Sequence, residues 1–513
     1  MTIGRGEIII NIDEFDNYLT TEAIMDKYYL EPQQQVKIYD SCDILIVGGG
    51  AAGHSAAVAA ARAGAENIVI LERYGYFGGD ATGDYVLMVP AMSWLDHSMV
   101  RGLQEEWFTR IEKNAPDCIT GPALKDIGKR DPHLLDRWQG IHGCVNMDPS
   151  DRYIVRAPYF EPTALKLEMD AMIQELPQIR IVFHGWGTKP IMDGSEVKGV
   201  IFESKEGRQA IMAKIVIDAT GDGDIFAQTG APFEIRPVSN DPDARRDNET
   251  ALVWRMGGVD FHAYYRWRQA HPDAYKTFSA EINKMSGFRT MCFPAGKNDV
   301  VWWNNWLSGK SCIDLRDMRD TELSVRNSVR KVTEFCREMV PEAFKDAFIY
   351  DISPQLGCRC SRRLRGEYYY TMLDIAKYSE FDDVIAWHST VASTVPIEIP
   401  YRTIVPQKIE NLLAPGRHAS ADNVAITALQ LIPQCIATGQ AAGVASAIAL
   451  KDGTTVRNVD IKKVQKILAY EQDVPLPRMD NTDPSIVEDL KACNYGRDTE
   501  KNRAIRAKAG LDW

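Results

Sequence analysis

The stretch Asp43-Ile-Leu-Ile-Val-Gly-Gly-Gly-Ala-Ala-Gly53 decides the fold of this chain. It is a β-branched run that stops on glycines and continues into an alanine-rich segment. That pattern predicts a strand, a tight turn and a helix. Glu72 lies nineteen residues after Gly53, at the end of the second apolar run Asn67-Ile-Val-Ile-Leu71. This spacing is typical of a dinucleotide whose pyrophosphate lies at a helix N-terminus.

Each residue of the motif has a physical role, and a purely structural glycine turn is the alternative. Gly48 permits the turn, Gly50 lets the backbone approach the phosphates, and Gly53 lets the helix lie close to the sheet. Glu72 can accept hydrogen bonds from both hydroxyls of the adenosine ribose. Gly78 and Gly79 form a second glycine segment shortly after Glu72, where the backbone could also approach the ligand closely. The cofactor contacts predicted from this part of the chain are Gly48, Gly50, Ala52, Gly53, Glu72, Arg73, Gly78, Gly79 and Thr82.

The composition is that of an ordinary globular protein of more than one domain. The chain has 513 residues, of which 45% are hydrophobic and 25% charged. Its net charge of −12 argues against nucleic acid as a partner. The most apolar segment, 424–450, contains polar residues and Pro433, which predicts a buried helix and no membrane association. We expect a small-molecule substrate, and association into a homo-oligomer stays open.

The cysteines and the N-terminal sequence indicate where the protein is located in the cell and whether it binds a metal. The ten cysteines form no Cys-x-x-Cys pair, so we expect no iron–sulfur cluster and no metal site. The chain begins without a basic region followed by a long apolar stretch. We therefore interpret the protein as cytoplasmic, with reduced thiols. Cys358 and Cys360 flank one arginine, which suggests either packing residues or a thiol relay.

Two later motifs favour a long cofactor such as FAD over NAD. Asp218-Ala-Thr-Gly-Asp-Gly-Asp224 ends an apolar strand in a glycine turn, and 411–443 predicts a strand, a glycine turn and a long helix. Both segments thus repeat the pattern of the first motif, a strand that ends in a glycine turn. The helix after Pro433 would direct its positive end at the flavin ring. The contacts predicted here are Ala219, Thr220, Gly221, Asp224, Gly416, Arg417, Gly439, Gln440, Ala441 and Gly443; Gly439 and Gly443 alternatively serve helix packing.

At these residues the chain resembles the FAD-dependent oxidoreductases of the glutathione-reductase-like superfamily. The resemblance runs from about residue 42 to about 450 and includes the pieces 357–363, 366–368, 399–402 and 439–443. It implies a tightly bound, catalytic FAD and diverse substrates. The chain departs from the family pattern at Cys360, where an acid is more common, and at Gln430, where arginine is frequent. We therefore carry over no substrate.

The expected fold class is α/β, with a Rossmann-type FAD-binding domain interleaved with a smaller α+β cap domain. The FAD-binding domain would combine a parallel sheet with an antiparallel meander. The predicted organisation is an N-terminal arm (1–37), the FAD-binding domain (38–110, 152–232 and 400–458), the substrate or cap domain (111–151 and 233–399) and a C-terminal tail (459–513).

Three residues are candidates for chemistry beside the flavin. His418 follows Gly416-Arg417 directly and His388 precedes the return to the sheet; either could carry a proton. Arg402 could hold a substrate carboxylate, or it could form an ion pair that supports its loop. Hydride transfer between a small organic molecule and flavin N5 is the leading interpretation. The alternatives are a monooxygenase that uses O₂ and an electron-transfer flavoprotein subunit.

Overall fold

A seven-stranded sheet forms the centre of the protein and starts from the first glycine motif. The structure is a computed structural model that describes residues 31–89, 93–95, 97–99, 101–146, 152–235, 250–296, 299–388, 396–479, 482 and 485. The central elements, in chain order, are β1 (Lys37–Val47), α1 (Ala51–Arg62), β2 (Ile68–Glu72), β3 (Ile179–Phe183), β4 (Trp186–Asp193), β5 (Glu196–Ser204), β6 (Gly207–Asp218), β7 (Leu412–Leu413) and α2 (Ile432–Asp452).

The strand order is β3-β2-β1-β6-β5-β4, and β7 pairs with β6. Strands β1, β2 and β3 run parallel, and β7 is parallel to β6. Strands β4, β5 and β6 form the antiparallel meander. The second half of β1 is an unbroken apolar run because both of its sides are covered. The predicted α/β class, with a Rossmann-type sheet and a meander, is confirmed.

Helices α1 and α2 pack directly on each other, and glycines make this contact close. A Cβ atom on Gly439 would lie 2.1 Å from the Ala52 carbonyl oxygen, and one on Gly443 would lie 2.2 Å from that of Ala56. Gln440 is fully buried and donates to Gln472 Oε1 at 2.9 Å. Helix packing therefore explains the need for glycine at 439 and 443. The contact of Gly439, Gln440, Ala441 and Gly443 with the cofactor stays a prediction.

A four-stranded antiparallel sheet supplies a second layer, rich in aromatic side chains. Trp302 and Trp303 are almost fully buried in it, and Trp303 stacks on Trp254. These tryptophans therefore pack the core instead of offering a flat binding surface. In spatial order the strands are Arg289–Pro294, Val300–Trp306, Trp254–Gly257 and Phe348–Ile352. The helices of this region are Phe261–Ala270, Pro272–Ser286, Leu315–Met339 and Pro341–Phe344.

The described chain contains further helices and several short strands. The remaining helices are Leu103–Asn114, Pro132–Trp138, Pro162–Gln174, Met372–Lys377, Ile426–Leu429 and Ile461–Lys466. The short strands include Tyr159–Phe160, Phe233–Ile235, Thr250–Ala251, Gly357–Cys358, Arg362–Leu364, Val384–His388 and Ile397–Pro400. The domain boundaries stay predictions. The proposed arm and tail lie largely outside the described residues.

The structure contains a disulfide, whereas the sequence analysis predicted that all thiols are reduced. Cys312 and Cys358 form a disulfide across 46 residues of sequence. Cys360 is buried and carries a free thiol, so the neighbouring pair Cys358 and Cys360 is not bonded to each other. No helix among the described residues is both long enough and apolar enough to cross a membrane.

Candidate active site

A cleft open to solvent runs along the edge where β1, β2, β6 and β7 end. Two backbone hydrogen bonds set the order along this edge. Gly48 N donates to the Leu71 carbonyl, and Ala219 N donates to the Val47 carbonyl, both at 2.8 Å. The ends of β2, β1, β6 and β7 therefore follow one another. The predicted residues that line the cleft are Gly48, Gly50, Ala52, Glu72, Arg73, Gly78, Gly79, Ala219, Thr220, Gly221, Asp224, Gly416 and Arg417.

Two predicted cofactor contacts, Gly53 and Thr82, lie behind the cleft wall. A Cβ on Gly53 would lie 1.7 Å from the Gly48 carbonyl oxygen, so Gly53 serves the close packing of α1 on the turn. Thr82 is fully buried, and its hydroxyl donates to the Phe77 carbonyl at 2.5 Å. Both residues shape the glycine turns without reaching the cleft surface.

Glu72 marks one end of the cleft, which we call the Glu72 end. Its carboxylate accepts hydrogen bonds from Gly49 N at 2.5 Å and Tyr74 N at 2.7 Å. Burial raises the pKa of Glu72 above its ordinary value, and the two N–H donors oppose that shift. The neighbouring Arg73 guanidinium lies 4.9 Å from the centre of the Tyr74 ring and 5.5 Å from that of Trp186.

The start of α1 suits a phosphate group. Its N-cap is Gly50, no side chain caps it, and its first turn contains no acid. The first N–H groups of a helix have no partner within the helix, and the helix dipole adds positive charge there. Gly48 has a φ of +99°, and a Cβ on it would lie 2.5 Å from the Ala219 carbonyl oxygen. The turn therefore needs glycine, and a pyrophosphate fits the uncapped helix start.

The start of α2 is a second uncapped helix terminus at the same cleft. Its N-cap residue, Leu431, offers no side-chain hydrogen bond, and no acid occupies its first turn. Gln430, Ile432 and Cys435 line the cleft here. Gln430 Oε1 is a buried atom without a hydrogen-bond partner among the described residues. An extended cofactor with polar ring atoms fits this end, because it would meet both the helix dipole and the unpaired amide.

Asp218 organises the turn that follows β6. Its Oδ1 accepts from Thr220 N and Thr220 Oγ1, at 3.1 and 2.7 Å. Its Oδ2 accepts from Ile225 N and Phe226 N, at 3.1 and 2.8 Å. The aspartate thus acts as a scaffold for the glycine turn. Asp224 lines the cleft beyond it, pairs with Arg362 at 2.9 Å, and burial raises its pKa to about 6.

Arg417 and two acids form a charged group at the opposite end of the cleft, which we call the Arg417 end. Arg417 donates to both oxygens of Asp222, and its Nε lies 3.9 Å from Asp80 Oδ2. Burial would raise the pKa of Asp222, but the charge and hydrogen bonds of Arg417 hold it below its ordinary value. Burial also raises the pKa of Asp80; Arg417 opposes this shift, and Asp222 adds to it.

The three candidate catalytic residues do not line this cleft. His418 is fully buried; its Nε2 bonds to the Asp218 carbonyl at 3.0 Å and its ring packs edge-on against Phe226. His388 is buried beside Gln104, and burial lowers its pKa to about 4. Arg402 forms an ion pair with Asp383 at 2.9 Å. The structure therefore gives these residues positions that support neighbouring segments, and their role in catalysis stays a prediction.

Sequence reasoning missed the polar group that does line the Arg417 end. Asp80 lines the cleft beside Gln355, whose Nε2 donates to Asp80 Oδ1 at 3.4 Å. Tyr76 also lines the cleft. The sequence did contain a signal for Asp80, because this acid directly follows Gly78 and Gly79, where the backbone can approach a ligand. Gln355 had no such signal, because it reaches the cleft from the second layer of the fold.

The fold and the cleft define a flavin-dependent enzyme. A model of the family described as FAD dependent oxidoreductase matches residues 43–468, and the chain belongs to this family. Its cofactor is FAD, and it is an FAD-dependent oxidoreductase. In the geometry described above, Glu72, the start of α1 and the start of α2 would hold the adenosine, the pyrophosphate and the ring. FAD supplies two-electron oxidation and reduction when bound.

The similarity to individual known proteins reported below is low. A urocanate reductase from Eggerthella lenta is 30% identical over 128 residues, which are 24% of this chain and 20% of the relative. The chain therefore matches about a fifth of that relative's length. The overall similarity to two solved structures is also low. A geranylgeranyl bacteriochlorophyll reductase-like protein from Thermoplasma acidophilum is 14% identical, covering 91% of this chain and 96% of that one, with a TM-score of 0.41. A p-nitrophenol 4-monooxygenase from Pseudomonas putida is 11% identical, covering 92% and 94%, with a TM-score of 0.42.

Proposed function

We propose that the protein transfers a hydride between a small organic substrate and FAD, with Asp80 as the residue that carries the substrate's proton. The observation that carries this proposal is the position of Asp80. It lines the cleft at the Arg417 end, where the order of the strand ends would put the flavin ring. Burial raises the pKa of the Asp80 carboxyl group, which makes it a better proton donor and acceptor than an exposed aspartate.

Each side chain at this end has a definite task in the proposal. Asp80 takes or gives one proton. Gln355 holds the Asp80 carboxyl through the hydrogen bond at 3.4 Å. Arg417, fixed by Asp222, keeps a positive charge 3.9 Å from Asp80 and stabilises the ionised form after the proton has left. His418 positions Arg417 by tying its loop to the Asp218 carbonyl.

A direct test is anaerobic flavin reduction with a panel of small alcohols, amines and carboxylates. We expect at least one compound to bleach the flavin in wild-type protein. Asp80→Asn should slow that reduction by roughly 10²- to 10⁴-fold while FAD stays bound, since this is the usual contribution of a general acid or base. Asp346→Asn, a surface acid with 76% side-chain exposure, is the matched control. An unchanged rate in Asp80→Asn would remove Asp80 from the mechanism.

Oxygen labelling separates hydride transfer from monooxygenation. Under ¹⁸O₂, a hydride-transfer enzyme gives a product without labelled oxygen, whereas a monooxygenase places one labelled atom in the product. Reduction of the flavin by a protein partner, with no response to any small molecule of the panel, would favour the electron-transfer role instead.

A further inference from the structure

The Arg73 side chain lines the cleft and makes no hydrogen bond or ion pair with another described residue. Two aromatic rings hold its guanidinium instead. The central carbon of that group lies 4.9 Å from the centre of the Tyr74 ring and 5.5 Å from the centre of the Trp186 ring, and both residues also line the cleft. An aromatic ring attracts the charge of a guanidinium but does not satisfy its N–H donors. Those donors are therefore available to an anionic ligand in the cleft.

The loop that carries Arg73 is fastened at both ends to the turn before α1. At its beginning, the Glu72 carboxylate accepts a hydrogen bond from Gly49 N at 2.5 Å. Towards its end, Gly78 N donates to the Gly49 carbonyl at 2.9 Å, and Gly78 forms a β-bridge with Gly50. Arg73 therefore belongs to a loop that borders the uncapped start of α1, which is where a pyrophosphate is expected.

The charges along the cleft favour Arg73 as the counter-ion of a bound pyrophosphate. The described residues that line the cleft carry these charged groups: Glu72, Asp80, Asp224, Arg73 and Arg417. Carboxyl groups thus outnumber guanidinium groups, and Arg417 already donates to both oxygens of Asp222. Burial raises the pKa of Asp80, and the charges of Arg417 and Arg73 oppose that shift, so the charge of Arg73 acts along the cleft. Among the described lining residues, Arg73 is therefore the cation that is free to pair with an added anion.

We propose that Arg73 binds the pyrophosphate of FAD together with the start of α1, and that Tyr74 and Trp186 hold its guanidinium in position for this contact. A planar guanidinium can donate parallel N–H bonds to a phosphate group, which an ammonium cannot do. Trp186 is 51% exposed and so contributes little to the core, which favours a role at the cleft. The contact holds the cofactor and does not depend on the substrate or on hydride transfer.

ADP and adenosine separate a contact with the pyrophosphate from a contact with the nucleoside. They share adenine and ribose, and only ADP carries the pyrophosphate. The full-length protein, freed of FAD, is titrated with each compound by calorimetry, and with FAD by flavin fluorescence. Arg73→Gln should raise the Kd for ADP and for FAD about tenfold or more, the loss of one charge-assisted hydrogen bond, and change the Kd for adenosine less than about twofold. Arg319→Gln, at an arginine with 65% side-chain exposure, is the matched control and should change none of the three.

Further variants test the charge of Arg73 and the role of the indole separately. Between about 0.05 and 0.5 M KCl the Kd of the wild-type protein for ADP should rise, and that of Arg73→Gln should rise less. Arg73→Lys should keep the salt dependence and lose part of the affinity, because an ammonium retains the charge without the planar fork. Trp186→Leu should weaken ADP binding several-fold, whereas Trp186→Phe keeps an aromatic face and should restore most of the affinity.

The comparison of ADP with adenosine also shows whether a variant has kept its folded site. Equal loss of ADP and adenosine binding in Arg73→Gln would overturn the pyrophosphate contact, because Arg73 would then contact the nucleoside or support the fold. An unchanged Kd for ADP in Arg73→Gln would overturn it as well. Wild-type ADP binding by Trp186→Leu, or equally weak binding by Trp186→Leu and Trp186→Phe, would overturn the positioning role of the indole.

Discussion

Arg417 donates two parallel hydrogen bonds to Asp222, from Nη1 to Oδ1 at 2.8 Å and from Nη2 to Oδ2 at 2.9 Å. The pair joins the loop after β7 to the turn after β6. The Arg417 side chain crosses over Gly221, where a Cβ would lie 2.8 Å from Nη2. Ser361 also donates to Asp222. The guanidinium at the Arg417 end of the cleft is therefore held in place by Asp222.

Removal of the Asp222 charge should be strongly destabilising. Asp222→Asn leaves the buried Arg417 without its counterion, and such broken pairs typically cost about 3–5 kcal/mol. The measurement is the free energy of unfolding in guanidinium chloride. Asp320→Asn, which removes the partner of the exposed Arg319, is the control and should change stability little. Equal effects of the two substitutions would contradict the structural role of the Arg417–Asp222 pair.

Glu72→Gln should weaken the retention of FAD. An amide carries no charge, and one of its two ends cannot accept a hydrogen bond, so the contact with the ribose and the two N–H groups is impaired. We expect the Kd for FAD to rise about tenfold or more, the equivalent of 1.5–3 kcal/mol for a hydrogen bond to a charged group. Glu66→Gln, an exposed acid shortly before β2, is the control. Undiminished FAD occupancy after dialysis of Glu72→Gln would refute the ribose assignment.

His388 should make stability depend on pH. Burial lowers its pKa to about 4 in the folded protein, against about 6.5 when unfolded. Between these values the unfolded chain binds one more proton, so stability falls as pH falls from 6.5 towards 4. His388→Gln should reduce this slope by about 1.4 kcal/mol per pH unit. The exposed His133→Gln should not change it. Unfolding curves between pH 4.5 and 6.5 provide the test.

The Cys312–Cys358 disulfide should be detectable by counting thiols. Two of the nine cysteines that the structure describes are paired, so denatured protein kept without reductant should expose two fewer thiols than reduced protein. A bond that closes a loop of 46 residues contributes about 4 kcal/mol by the loop-entropy relation. Cys312→Ser and Cys358→Ser should each lower the free energy of unfolding by about that amount. Ten reactive thiols without reductant would show that the bond is absent.

The sequence predicted those parts of the fold whose determinants are local. Gly48, Gly53 and Glu72 belong to one βαβ unit, so their spacing alone indicated the turn, the helix and the acid. The glycine pattern around Asp218 likewise predicted the return of the chain to the sheet. For Gly439 and Gly443 the sequence left two interpretations open, for a physical reason. Helix packing and cofactor approach both require a missing Cβ, and only the structure shows that Ala52 and Ala56 fill that space.

The chemical end of the cleft was harder to predict because its residues are distant in sequence. Asp80, Gln355 and Arg417 come from three separate segments and meet only in the folded protein. His418 was favoured because it follows Arg417, but the two neighbouring side chains have different surroundings. Arg417 reaches the cleft, whereas His418 packs against Phe226. Adjacency in sequence does not fix the direction of a side chain in a loop.

The central claim is that the chemistry takes place at the Arg417 end of the cleft, and a crystal structure with FAD bound tests it most directly. The account predicts electron density for adenosine beside Glu72 and for the flavin ring beside Arg417, with the Asp80 carboxyl facing the space next to N5. Density with the ring at the Glu72 end, or with Asp80 turned away from the flavin, would contradict it.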